Sequence, residues 1–166
     1  MKLIVCDTGP LVHLFEANLL NLLEVAGKVL MPPGVAKELE GVAPPELKLG
    51  DLPWLVTHPL RQPHDAEARD WHRAGLLHLG EAEALALARQ ERADWFLTDD
   101  SAARVVAEQM AVEVHGSLGV LLWGAASGLV DFPEAQAALD RLRESSLWVS
   151  PRVLSEAREA LLDLFS

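Results

Sequence analysis

Residues 93–108, ADWFLTDDSAARVVAE, carry two structural signals and one anomaly. Trp95, Phe96 and Leu97 form a short apolar run rich in aromatic side chains, the composition of a buried strand. From Ser101, SAARVVAEQMA spaces alanine, valine and methionine as one face of a helix does. A buried strand that runs straight into a helix is half of a βαβ unit, in which helices cover a parallel sheet on both faces. The anomaly is the junction, where the apolar run ends in two adjacent carboxylates, Asp99 and Asp100. The start of the chain does much the same: in KLIVCDTGP four apolar residues end at Asp7.

Working outward, the same alternation continues. Lys2 to Cys6 reads as the first strand. Leu11, Leu14, Phe15, Leu19, Leu22 and Leu23 then recur with a helical period, as two short helices or one bent one ending at Gly27. KVLM makes a second strand. Pro32 and Pro33 suit the first turn of a helix running through Val35 to Glu40. Residues 42 to 65 form a proline-rich excursion in which WLVTHPL reads as an edge strand. A polar helix over Asp65 to Ala74 follows, and Gly80 opens the helical pattern EAEALALARQERA, which leads into the strand WFLTD. Beyond SAARVVAEQMA come a strand in VEVHG and a helix in LGVLLWGAASGL. Two last helices lie around Ala135–Glu144 and Pro151–Leu164. The expectation is one α/β domain over residues 1–166, with residues 133–166 packing either on the sheet or on a partner.

Composition narrows the function. Half of the 166 residues are hydrophobic and 23% are charged, as in a packed globular chain. Cys6 is the only cysteine, so there is no disulfide framework and no thiolate zinc site. The six histidines show neither HxxxH nor HExxH spacing, which argues against zinc. GSLG at 116–119 lacks the Lys–Ser/Thr of a phosphate loop. The longest uncharged stretch, Gly116 to Val130, is too short and too broken by glycine to span a bilayer. A cytoplasmic protein without membrane contact is expected. With 14 Lys plus Arg against 25 Asp plus Glu, the net charge is −11 and there is no basic tract. Nonspecific attraction to polyanions is thereby excluded, so any nucleic-acid binding must be local or bridged by metal ions.

In open parallel sheets functional groups gather at the carboxyl ends of the strands. Asp7 and Asp99 stand at such ends, and Asp100 begins the helix that follows. Like charges 4 Å apart repel by roughly 4 kcal/mol at an effective dielectric near 20. Proton uptake or a divalent cation relieves that repulsion. Carboxylate oxygens are hard ligands suited to Mg²⁺ or Mn²⁺, ions that hold a scissile phosphate and activate water. Glu38, in the helix after the double proline, and Glu81 and Glu83, after Gly80, extend the set.

Each of these residues also has a simpler reading. Acids in a first helical turn gain about 0.3–1 kcal/mol from the helix dipole. Asp100 would cap its helix, and Asp7 would serve a turn. Thr8 suits either a metal-bound water or a helix cap. Arg104, one turn after Asp100, suits either a surface ion pair or a phosphate contact. Lys37 and Arg104 are the cations closest in sequence to the acids and would supply local positive potential. Trp54 and Trp71, near the polar excursion, are the tryptophans placed to stack on a base, with core packing as the alternative.

IVCDTGPLVHL, PPGVAKELEG, LGEAEALALA and ADWFLTDDSAARVVAE, in this order, resemble the PIN domain family, and in particular a PIN-like bacterial and archaeal subgroup of predicted nucleic-acid-binding proteins. VHGSLGVLLWGAASGL and VSPRVLSEAREALL fit the same subgroup, so the resemblance covers most of the chain. It implies a three-layer α/β/α fold with a mainly parallel sheet and a rim of acids binding Mg²⁺ or Mn²⁺. It also implies metal-dependent cleavage of single-stranded RNA, often as the toxin paired with an antitoxin protein. A second copy of the chain is a further candidate partner. By position, Asp7 matches the first family acid, Glu38 the helix acid and Glu81 the third. Asp99 and Asp100 contend for the fourth: the threonine–any residue–aspartate ending favours Asp100, and the spacing from Glu81 favours Asp99. The third position is usually aspartate, whereas here Glu81 and Glu83 compete for it.

Two other classes stay open. A PIN-like module without catalysis would act through a protein partner. A phosphoryl-transfer domain of the haloacid-dehalogenase or receiver type also uses strand-end aspartates. Against it, TGP follows Asp7 where a second aspartate two residues on is needed, and no suitably placed lysine follows.

Overall fold

The structure, a computed structural model, describes residues 1–166. Five strands form one parallel sheet: β1 (Lys2–Cys6), β2 (Gly27–Met31), β3 (Leu55–Thr57), β4 (Trp95–Leu97) and β5 (Val114–His115), in the order β3-β2-β1-β4-β5. Nine helices flank it: α1 (Thr8–Glu16), α2 (Asn21–Ala26), α3 (Pro33–Val42), α4 (His64–Arg73), α5 (Leu79–Gln90), α6 (Ser101–Gln109), α7 (Ser117–Ala126), α8 (Phe132–Glu144) and α9 (Pro151–Phe165). The fold is three-layer α/β/α. The α5 helix packs on β1 and β4, with α4 and α6 beside it; α7 gathers α1, α2, α8 and α9 into the other group.

The sequence explains why the centre holds. Ile4, Val5 and Cys6 of β1 and all of β4 are buried, as parallel strands covered on both faces must be. The α5 helix is alanine-rich because it is buried almost all round: Ala82, Ala84, Ala86 and Ala88 leave room on the sides that larger residues would block. Gly27 is required where β2 starts, since a β-carbon there would lie 1.9 Å from the Lys2 carbonyl oxygen.

The helical period from Leu11 to Leu23 resolves into two helices, and the first begins at Thr8, earlier than the apolar pattern, because Asp7 caps it. The proline-rich excursion contributes β3 as an edge strand of three residues, paired parallel to β2. β4 stops at Leu97, so Thr98 and Asp99 lie beyond the strand. The last helices pack within the domain, α8 on α1 and α7 and α9 on α7 and α8. No helix is long and apolar enough to cross a membrane.

Strand order reverses between β1 and β4. The chain proceeds from β1 through β2 to β3 on one side, then returns to add β4 and β5 on the other. Ligands of open α/β sheets bind outside the carboxyl ends of the strands at such a point. Asp7 follows β1 and Asp99–Asp100 follow β4, in adjacent registers with Cys6 opposite Leu97.

Candidate active site at the switch point of the sheet

Of the 49 buried residues only Asp7, Thr98 and Ser117 are polar or charged, and all three stand at this edge. Buried polar groups need partners, and theirs are one another and the acids. The Asp7 amide extends the sheet by donating to the Leu97 carbonyl at 2.9 Å. Its carboxylate accepts from the Thr8 amide at 2.8 Å and from the Thr98 hydroxyl at 3.0 Å, which fixes both oxygens. Thr98 Oγ1 in turn accepts from the Asp100 amide at 3.2 Å, tying the two strand ends together.

A cavity of about 490 Å³ opens above these residues. Asp7, Glu38, Glu81 and Asp100 line it, each from a different element. Glu38 reaches it from α3 and accepts a hydrogen bond from Thr8 Oγ1 at 2.6 Å. Gly80 makes the approach possible, since a β-carbon there would lie 2.3 Å from Glu38 Oε1. Glu81, in the first turn of α5, accepts from the His78 amide at 3.1 Å. Asp100 caps α6 through the Ala103 amide at 2.8 Å, leaving its other oxygen without a protein donor.

The electrostatics follow from crowding and burial. Burial pushes the Asp7 carboxyl up to about 6, opposed by the hydrogen bonds from Thr8 and Thr98 and assisted by the charges of Glu38 and Asp100. Glu81 is also pushed up to about 6, first by burial and further by Asp100 and Asp7, while the His78 amide works against the shift. The two residues thus sense the same acidic cluster.

Asp99 plays a different part from its neighbour. Its Oδ1 accepts from the Ser117 amide at 2.7 Å, and its Oδ2 accepts from the Ser117 hydroxyl at 2.6 Å and meets His13 Nδ1 at 2.7 Å. Asp99 borders the cavity, but both oxygens are committed to protein partners. Glu83 is turned away from the cavity. Its Oε2 lies against the start of α3, where a β-carbon on Gly34 would come within 1.9 Å.

Among the residues expected to meet substrate, Thr8 lines the cavity and Lys37 does not: it is exposed on α3. Arg104 forms no ion pair with Asp100. It lines a second cavity of about 270 Å³ that shares Asp99, Ser101, Leu147 and Trp148 with the first. Trp54 and Trp71 are half-buried, and Trp71 stacks on the Arg89 guanidinium 5.9 Å away. Neither reaches the acids. Trp148, in the α8–α9 connection, does.

Sequence reasoning did not single out His13, His78, Ser117 or Trp148. His13 had a usable signal, since Gly9 and His13 are four residues apart on the helix that Asp7 caps and so share a face. Ser117 and Trp148 had none, because their proximity to the acids is set by tertiary packing.

The donor set is hard oxygen, matching a divalent ion. No three acids or histidines form a ready-made metal-binding cluster. Hydrogen bonds from Thr8 and His78 occupy one oxygen each of Glu38 and Glu81. Asp7, Glu38, Glu81 and Asp100 are the residues that would hold such an ion, with one oxygen of each glutamate and of Asp100 still without a protein donor.

A family model for the PIN domain matches residues 3–162. No curated protein matches the chain. PIN domains have a nuclease-like fold, are generally nucleases and typically use divalent metal ions. With that match over nearly its whole length, and with the parallel sheet and acid-rimmed switch point just described, the chain belongs to the PIN domain family.

Proposed function

We propose that the protein is a Mg²⁺- or Mn²⁺-dependent endoribonuclease that cuts single-stranded RNA. One observation carries the reading: carboxylates from four separate elements, Asp7, Glu38, Glu81 and Asp100, line one open cavity at the point where strand order reverses. A bound divalent ion supplies charge neutralisation for the phosphate and acidifies a water. The chain's own part is positional. Asp7 is held in place by Thr8 and Thr98, so its carboxylate lines the cavity at fixed geometry. Glu81, a carboxylate with its pKa near 6, accepts a proton from water more readily than an ordinary one does. The net charge of −11 disfavours indiscriminate binding, so cleavage is selective and weak on arbitrary RNA.

A protein partner that restrains the activity, in the manner of an antitoxin, belongs to the same proposal. Val153, Leu162 and Leu164 of α9 are exposed apolar residues that a partner would cover.

The test is cleavage of a mixed single-stranded RNA pool with Mn²⁺ or Mg²⁺, beside Asp7→Asn and Asp100→Asn. Products from the wild type alone, abolished by chelator, are expected. Products that persist in both variants would be contamination. The absence of products with every RNA would favour a binding module, a reading to which the hydrogen-bonded state of Glu38 and Glu81 already lends some weight.

A further inference from the structure

We infer that Trp148 and Arg104 form a nucleotide subsite beside the acidic cavity, in which a base of the single-stranded substrate stacks on the indole and its phosphate meets the guanidinium. The inference rests on the RNA-cleavage reading and adds where the strand leaves the acids.

Trp148 is 81% exposed, whereas the other four tryptophans of the chain are buried or packed against the core. An indole left in water at that level forfeits burial it would gain almost anywhere else in the chain. Its position is specific: it forms part of the wall shared by the acid cavity and the adjoining one. Leu147 backs it on the same short connection, and Val153 of α9 completes an apolar strip beside it.

Arg104 is the cation that belongs to this strip. It is the only lysine or arginine lining either cavity, and its guanidinium has neither an ion pair nor a hydrogen bond in a chain with a large excess of acids. Gly116 makes room for it: a β-carbon there would lie 2.7 Å from Arg104 Nη1 and 2.7 Å from Asp99 Oδ1. Asp99, which borders the same glycine, already has its oxygens taken by Ser117 and His13. Arg104 therefore keeps its charge available for a group from outside.

An exposed indole beside an uncommitted guanidinium, continuous with a carboxylate cavity, suits a nucleotide of single-stranded nucleic acid. The base supplies a π-face and the phosphate one negative charge. A membrane or an acidic peptide would use the arginine and leave the acids unexplained. A basic peptide would use the acids and be repelled by the arginine.

The experiment is fluorescence anisotropy of two labelled single-stranded hexamers, one of uridine and one with the same backbone but no bases. It is run at low salt in chelator, so that no divalent ion takes part and no strand is cut. Trp148→Ala is expected to weaken binding of the uridine hexamer about tenfold and that of the abasic hexamer not at all, with Trp148→Phe within about twofold of wild type. Arg104→Gln should weaken both hexamers alike. Melting temperatures check that the variants are folded, and Trp148 is exposed enough that its loss leaves the core intact. Equal affinity of wild type and Trp148→Ala for uridine, equal loss on both hexamers, or no binding by the wild type would each overturn the subsite. Cleavage is scored separately on the same strands with Mn²⁺. Trp148-dependent binding without cleavage would keep the subsite and refute the nuclease, and cleavage with an unchanged KM in Trp148→Ala would do the reverse.

Discussion

Asp99 is bound to Ser117 through both of its oxygens, at 2.7 Å from the serine amide and 2.6 Å from the hydroxyl. Ser117 is fully buried and opens α7, so Asp99 satisfies an N–H group that the helix itself cannot. It joins the end of β4 to the start of the helix after β5. Asp100, the next residue, makes no such link and keeps an oxygen toward the cavity. Adjacent aspartates thus divide their contacts: one is tied to the start of α7, the other keeps an oxygen without a protein donor.

That division predicts opposite phenotypes. Asp99→Ala should destabilise the chain by about 1–3 kcal/mol, since it strands the buried Ser117 donors. At roughly 2–4 °C per kcal/mol for a chain of this size, the loss is visible in a thermal melt. Asp100→Ala should cost no more than a lost helix cap, about 1 kcal/mol. Equal melting temperatures for the two variants would refute the division.

Metal response should separate the same residues. Mg²⁺ or Mn²⁺ at a hundred times its dissociation constant should stabilise the wild type by about 2.7 kcal/mol. Asp7→Asn and Asp100→Asn should lose most of that gain, whereas Asp99→Asn, though less stable, should retain it. A thermal shift of the same size in Asp7→Asn would remove the metal from these acids.

The pH dependence has a definite sign. Asp7 titrates near 6 in the folded chain and near 3.8 in its ordinary state, so the folded protein binds the proton more tightly. Its contribution to stability is full below pH 4 and is lost as pH rises toward 6, on the order of 3 kcal/mol for so buried a group. In chelator, the melting temperature should fall across that window. Asp7→Asn, which carries no charge to bury, should flatten the profile and melt above the wild type at pH 7. Glu81 is shifted the same way but is half-exposed, so a shallower slope should remain. Added Mg²⁺ should reverse the trend, because the ion competes with protons for the same oxygens. An unchanged slope in Asp7→Asn would sink the assignment.

Gly80→Ala tests the fit between α5 and Glu38. Alanine is worth up to about 1 kcal/mol over glycine within a helix, yet here its β-carbon would meet Glu38 Oε1 at 2.3 Å. A flexible carboxylate can swing aside, so stability should change little while metal response and RNA cleavage drop at least about tenfold. Retention of full activity would show that Glu38 is dispensable where it stands.

Much of this was legible in the residues themselves. The apolar runs of β1 and β4, the helical period and alanines of α5, and the double proline before α3 are local signals, because strands and helices are chosen by neighbours a few positions apart. An acid at the end of a buried strand is equally visible. Boundaries were less so: Asp7 starts α1 earlier than the apolar pattern does, since a cap acts through one hydrogen bond and leaves no periodicity. What the residues left open was the orientation of side chains sharing one backbone turn. Asp99 and Asp100 differ because Ser117 and His13, 18 and 86 residues from Asp99, hold one of them. Glu81 and Glu83 differ because α3 receives the second at Gly34. Trp148 reaches the acids because packing of α8 and α9 on α7 carries their connection across the chain to the edge of β1 and β4. Local chemistry determined which groups could serve a site; only the tertiary contacts, each made across many intervening residues, decided which of them share a cavity.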